Sequence, residues 1–134
     1  MMKIVVAIDS LKGSLTSIQA GEAIEKGIKK VDLEAEVVIK PLADGGEGCL
    51  DAQTAMGKAP IGVAKLAKKY GKLVLGFSGA VTKGATACNE AGIDAYFPIV
   101  RSVVSLEEAM KKKNAQENLT DTVEQVFRLI KVLA

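Results

Sequence analysis

Lys3-Ile4-Val5-Val6-Ala7-Ile8-Asp9-Ser10-Leu11-Lys12-Gly13-Ser14-Leu15-Thr16 is the stretch that decides the fold. Ile4 to Ile8 is an unbroken, largely β-branched apolar run, the pattern of a strand buried on both faces of a parallel sheet. A polar loop follows, and Thr16 with Gln19 has the spacing of a helix capping box. Beyond it Ala20, Ile24, Ile28 and Val31 recur at helical spacing, so residues 17–31 read as an amphipathic helix. Strand, polar loop and capped helix in that order are the opening of a βα unit. Asp9, at the end of that strand, could orient a substrate hydroxyl or a metal-bound water, and Lys12 could offset phosphate charge. The plainer alternative is that Asp9 and Ser10 cap a turn and Lys12 is solvated.

The same alternation continues outward. Glu36–Lys40 reads as a second strand. Pro60 opens a second helix, with Val63, Leu66, Ala67 and Tyr70 as its expected inner face and Gly71 as its stop. Leu73–Phe77 reads as a third strand running into Ser78-Gly79-Ala80-Val81, residues 84–91 as a short helix and Ala95–Ile99 as a fourth strand. Ser105 and Glu108 mark another capping box. A final helix from about Gln116 carries Leu119, Val123, Val126, Phe127 and Ile130 on one face. Strands alternating with helices imply an α/β fold. The expectation is a single doubly wound, flavodoxin-like domain over 1–134, with a four-stranded parallel sheet of order 2-1-3-4 and helices on both faces. Ligands then belong outside the carboxyl ends of the strands, at the switch between strands one and three.

The second informative stretch is Pro41-Leu42-Ala43-Asp44-Gly45-Gly46-Glu47-Gly48-Cys49-Leu50-Asp51-Ala52-Gln53-Thr54-Ala55-Met56-Gly57-Lys58-Ala59-Pro60. Its glycines let a backbone come close to an anionic or metal-bound ligand. Asp44, Glu47 and Asp51 could hold a hard cation such as magnesium or accept a proton. Lys58 could meet a phosphate. Asp-Gly and Gly-Gly are equally ordinary turn dipeptides, so composition alone leaves a turn-rich connector open.

Composition removes several classes. With 49% apolar and 25% charged residues the chain has a globular balance, and 134 residues suffice for one real core. A net charge of +2, 4% aromatics and no interleaving of the two argue against nucleic acid. The absence of histidine excludes His-ligated zinc and Ser-His-Asp or Cys-His chemistry within this chain. Neither a Walker A loop nor Gly-x-Gly-x-x-Gly is present. A phospho-acceptor receiver would need a carboxylate after the third strand, where Ser78 stands. Asp9 and Lys12 likewise spoil a flavodoxin phosphate loop. Lys111-Lys112-Lys113 reads as a solvated helix end favoured by the dipole. Cys88 is expected on the core side of its helix and Cys49 in the polar loop. With two cysteines, no membrane-length segment and a start too short in apolar residues for a signal peptide, a cytoplasmic protein with no membrane partner is expected.

The chain resembles bacterial glycerate kinase of the two-domain, non-P-loop type. Residues 3–15 and Pro41-Leu42-Ala43-Asp44-Gly45-Gly46-Glu47-Gly48 are similar to that family's N-terminal part, so 1–48 corresponds to it. Gly46-Glu47-Gly48-Cys49-Leu50-Asp51-Ala52-Gln53-Thr54-Ala55-Met56-Gly57-Lys58 is similar to a motif near its C-terminus. With Gly92-Ile93-Asp94-Ala95 and the last helix, 46–134 corresponds to the C-terminal part. In the family the two glycine-rich motifs lie far apart, separated by a second α/β domain and more. Here they are fused through one shared Glu47-Gly48, which implies a deletion that removes one wall of an interdomain cleft.

The resemblance implies transfer of the ATP γ-phosphoryl group to D-glycerate with Mg2+. By the same resemblance Asp9, Lys12, Asp44 and Glu47 would be catalytic, with Asp44 and Glu47 also metal ligands. Ser10, Asp51, Gln53 and Lys58 would contact substrate or phosphate. Phosphoryl transfer depends on positioning and electrostatics. A cleft with one wall missing is therefore expected to have little or no activity, and this chain to bind ATP and Mg2+ weakly or not at all. The alternative is a small non-catalytic module that binds an anion or nucleotide. A homodimer is expected through surface left by the missing domain, near Tyr96-Phe97-Pro98-Ile99-Val100, with exchange at residues 41–57.

Overall fold

The computed structural model describes residues 2–8, 11, 14–41, 49–50 and 59–134. In chain order the elements are strand β1 (Lys3–Ile8), helix α1 (Ser17–Val31), and strands β2 (Glu36–Pro41) and β3 (Cys49–Leu50). Helix α2 (Ala59–Lys69) leads to strands β4 (Leu75–Ser78) and β5 (Ala80–Val81). A 3-10 turn (Lys83–Thr86), helix α3 (Ala87–Glu90), strand β6 (Ala95–Pro98) and helices α4 (Leu106–Met110) and α5 (Lys112–Leu133) complete the chain. The contacts divide into two compact units, one of Met1–Gly46 with Val100–Ala134 and one of Glu47–Ile99.

In the first unit β1 and β2 are parallel, in register from Lys3↔Glu36 to Ile8↔Pro41. Helix α1 begins on the capping box read from the sequence: Gln19 N–H donates to Thr16 Oγ1 at 3.1 Å and Thr16 N–H to Gln19 Oε1 at 3.0 Å. Its buried side is Ala20, Gly21, Ala23, Ile24, Gly27 and Ile28. Ile39 of β2 lies directly beneath it, since a Cβ on Gly21 would stand 2.8 Å from Ile39 Cγ2.

Along its other flank α1 meets α5, which buries Ala115, Leu119, Thr120, Thr122, Val123 and Phe127. Thr120 Oγ1 donates to Ala23 O at 2.8 Å, Lys30 pairs with Glu124 at 3.8 Å, and Lys131 Nζ donates to Val31 O at 3.1 Å. The partners rise together along both helices, so α1 and α5 run parallel. Small residues make this possible: a Cβ on Gly27 would fall 2.6 Å from Thr120 O. Burial of Ile28, Leu119 and Val123 supplies roughly 1.5–3 kcal/mol each.

In the second unit β4 and β6 are parallel from Leu75↔Ala95 to Ser78↔Pro98, and the paired rings of Phe77 and Phe97 stack at 5.5 Å. Strand β3 pairs with β5, Cys49↔Ala80 and Leu50↔Val81. The core joins Ile61 and Ala64 of α2 to Cys88 and Ile93, with Val74, Ala91 and Tyr96 around them. Both helices feeding this core end on a left-handed glycine. Gly71 has φ 67° and Gly92 φ 121°. After α2, Gly71 N–H reaches Lys68 O and Lys72 N–H reaches Ala67 O, both at 3.0 Å. After α3, Gly92 N–H reaches Asn89 O and Ile93 N–H reaches Cys88 O. Both are Schellman closures.

Several expectations change. The α/β character and the strand pairs two-with-one and three-with-four are present; the described sheets are of two strands each, with β3–β5 a further short pair. Within the first unit α1 takes the side of β1 that carries Val6, while Val5, on the other side, is 61% exposed among the described residues. Helix α2 buries Ile61 and Ala64, and leaves Leu66 and Tyr70 exposed. The reason is steric: Ala64 is small enough to sit 3.4 Å from the Cβ position of Gly92, and the same turn aims Lys68 at Asp94.

Helix α5 starts at Lys112, four residues earlier than expected, so Lys112 and Lys113 occupy its first turn, where cations oppose the dipole. Lys111 closes α4, where its charge is favourable, and pairs with Glu108 at 2.6 Å. Glu108 therefore does not complete the second capping box, although Ser105 Oγ does accept from Glu108 N at 3.1 Å. The Lys111 ammonium, through its hydrogen bond and its charge, and a hydrogen bond donated by Asn114 Nδ2 hold the Glu108 carboxyl below its usual range.

Candidate functional site

Register decides where chemistry can collect. In the first unit β1 and β2 end side by side, Ile8 against Pro41. Asp9, Ser10 and Lys12 come next in sequence after Ile8, and Asp44 and Glu47 shortly after Pro41. The parallel pairing thus brings the departure points of both motifs to one edge, the carboxyl edge. That is where an α/β sheet binds its ligands. Asp9, Ser10, Lys12, Asp44, Glu47, Asp51, Gln53 and Lys58 themselves lie outside the described residues.

The described residues next to Asp9, Ser10 and Lys12 in sequence are held by backbone hydrogen bonds. Leu11 and Leu15 exchange backbone hydrogen bonds at 2.8 and 2.9 Å, and Ser14 N–H donates to Leu11 O at 2.8 Å. These bonds hold Leu11, Ser14 and Leu15 together. Leu15 is buried. The hydroxyl of Ser14 is buried and has no hydrogen-bond partner, the single such side-chain atom among the described residues. These residues lead straight into the capped start of α1, whose first helical turn carries no acidic residue. The positive end of the α1 dipole is therefore unopposed there by its own first turn.

In the second unit Ser78 closes β4. Its buried hydroxyl donates to Ala80 O at 2.7 Å, and its carbonyl accepts from Ile99 N–H at 2.9 Å. Ser78 is spent on the turn, and Ala80-Val81, expected as open loop, is held as a strand against Cys49-Leu50. That pairing fixes the point from which Asp51 departs in sequence. Cys88 is fully buried, as expected. No group of three potential metal ligands occurs among the described residues.

One polar centre escaped the sequence reading. Asp94 Oδ2 accepts from Lys68 Nζ and from Val74 N–H, both at 2.7 Å, while Asp94 N–H donates to Val74 O at 2.9 Å. The Lys68 hydrogen bond, then the Val74 one, hold its carboxyl below the ordinary range. It ties the starts of β4 and β6 to the end of α2. Its neighbours are structural atoms, which assigns it to the scaffold. Only the 26-residue separation between Lys68 and Asp94 hid it, since no local pattern links residues so far apart.

Comparison with known proteins gives a consistent result. A family model described as "Glycerate kinase family" matches residues 4–52 and 46–131, so residues 46–52 are matched twice. Glycerate kinase of Bacillus subtilis (strain 168) is 39% identical over 120 residues, covering 88% of this chain and 31% of that protein. Glycerate 2-kinase of Escherichia coli (strain K12) is 39% identical over 95 residues, 68% of this chain and 25% of that one. Glycerate kinase of Haemophilus influenzae is 35% identical over 121 residues, 87% of this chain and 30% of that one. The chain thus spans less than a third of the length of these relatives. No helix among the described residues is long and apolar enough to cross a membrane.

Proposed function

The chain belongs to the glycerate kinase family, and from that premise we propose that it is a reduced form of the kinase that keeps the ligand-bearing carboxyl edge and has little or no phosphoryl transfer of its own. The observation that carries this reading is the register Ile8↔Pro41, which starts both motifs from one edge. The double match of residues 46–52 supports a junction at which two distant parts of the family have been brought together. The strand order 2-1-3-4 and a single doubly wound domain belong to the same proposal, as does a cytoplasmic location.

In this reading Mg2+ and ATP supply the transferable phosphoryl group and D-glycerate accepts it, as in the family. Asp44 and Glu47 would hold the metal. Lys12 and Lys58 would offset phosphate charge, with Ser10, Asp51 and Gln53 as further polar contacts. Asp9 would orient the acceptor hydroxyl. Chemistry of this kind relies on pre-positioned charges in a site closed to water. With less than a third of the relatives' length, the chain has far less surface with which to close one.

The test is a coupled ADP-release assay with D-glycerate, ATP and Mg2+. Turnover well below about 1 per second, the low end for kinases, is expected. Turnover at or above that rate would make this a complete miniature enzyme and overturn the proposal. A second reading, a non-catalytic anion or nucleotide module, is favoured by the acid-free first turn of α1, which follows the hydrogen-bonded Leu11, Ser14 and Leu15. It requires saturable binding of ATP or phosphate in calorimetry without turnover.

A further inference from the structure

We draw no further inference here: the strongest candidate, the buried and unpartnered Ser14 hydroxyl just before the capped start of α1, belongs to the carboxyl-edge site already described.

Discussion

At Gly27 the absence of a side chain decides how closely two helices approach. Thr120 O would stand 2.6 Å and Val123 Cβ 3.1 Å from any Cβ placed there, and neither backbone can yield without moving α1 away from α5. Gly27→Ala is expected to destabilise the chain by about 1–3 kcal/mol, the usual effect of overpacking, despite alanine's better helix propensity. Urea denaturation measures it. An unchanged midpoint would mean that α1 and α5 are not packed as described.

Asp94 gives a pH-dependent counterpart. Its carboxyl lies below the ordinary value of 3.8 when folded, through Lys68 and then Val74. The unfolded chain therefore binds its proton first as pH falls. The stabilisation is fully present above 3.8 and fades as pH drops through the lower folded value. Asp94→Asn should melt at a lower temperature than wild type at neutral pH, with the gap narrowing in acid. A gap independent of pH would assign the effect to shape and not to charge. The pair is part-exposed, so the effect is modest, of order 1 kcal/mol.

Among the elements, those with a local signature were legible. Thr16 and Gln19 announced the start of α1, and the spacing of Ala20, Ile24 and Ile28, or of Leu119, Val123 and Phe127, gave the buried sides of α1 and α5. Where the signal was ambiguous, tertiary contacts decided. In α2 the apolar set Val63, Leu66, Ala67 and Tyr70 looked like the inner face. The smaller Ala64 fits the tight approach of Gly92, and the helix turns to use it. The β3–β5 pair was not legible at all, because two-residue strands carry no periodicity. Of the candidate site, the motifs and the edge from which they start were legible; the pairing of Asp94 with Lys68 was not. The contrast within α2 is testable. Ile61→Ala should cost about 2–5 kcal/mol as a buried truncation, whereas Leu66→Ala should stay within roughly 0.5 kcal/mol of wild type. Equal losses on denaturation would contradict the observed rotation of the helix.

For the whole molecule, the family assignment and the register of one strand pair point the same way. The stretches that follow Ile8 and Pro41 lie within the residues the glycerate kinase family model matches, and both start from the carboxyl edge of β1–β2. The amino edge, where Glu36 N–H meets Met2 O and α1 ends at Val31, carries none of that chemistry. In the proposed reading ligand binding and turnover separate: the edge persists while phosphoryl transfer, which needs a site closed to water, is lost. The most direct measurement is a titration of the 15N-labelled chain with ATP and Mg2+, followed by amide shifts. The account predicts changes at Leu11, Ser14, Leu15, Ser17 and Ile18, with Lys3 and residues 32–36 unmoved. Shifts concentrated at Lys3 and 32–36, or none at millimolar nucleotide, would contradict it.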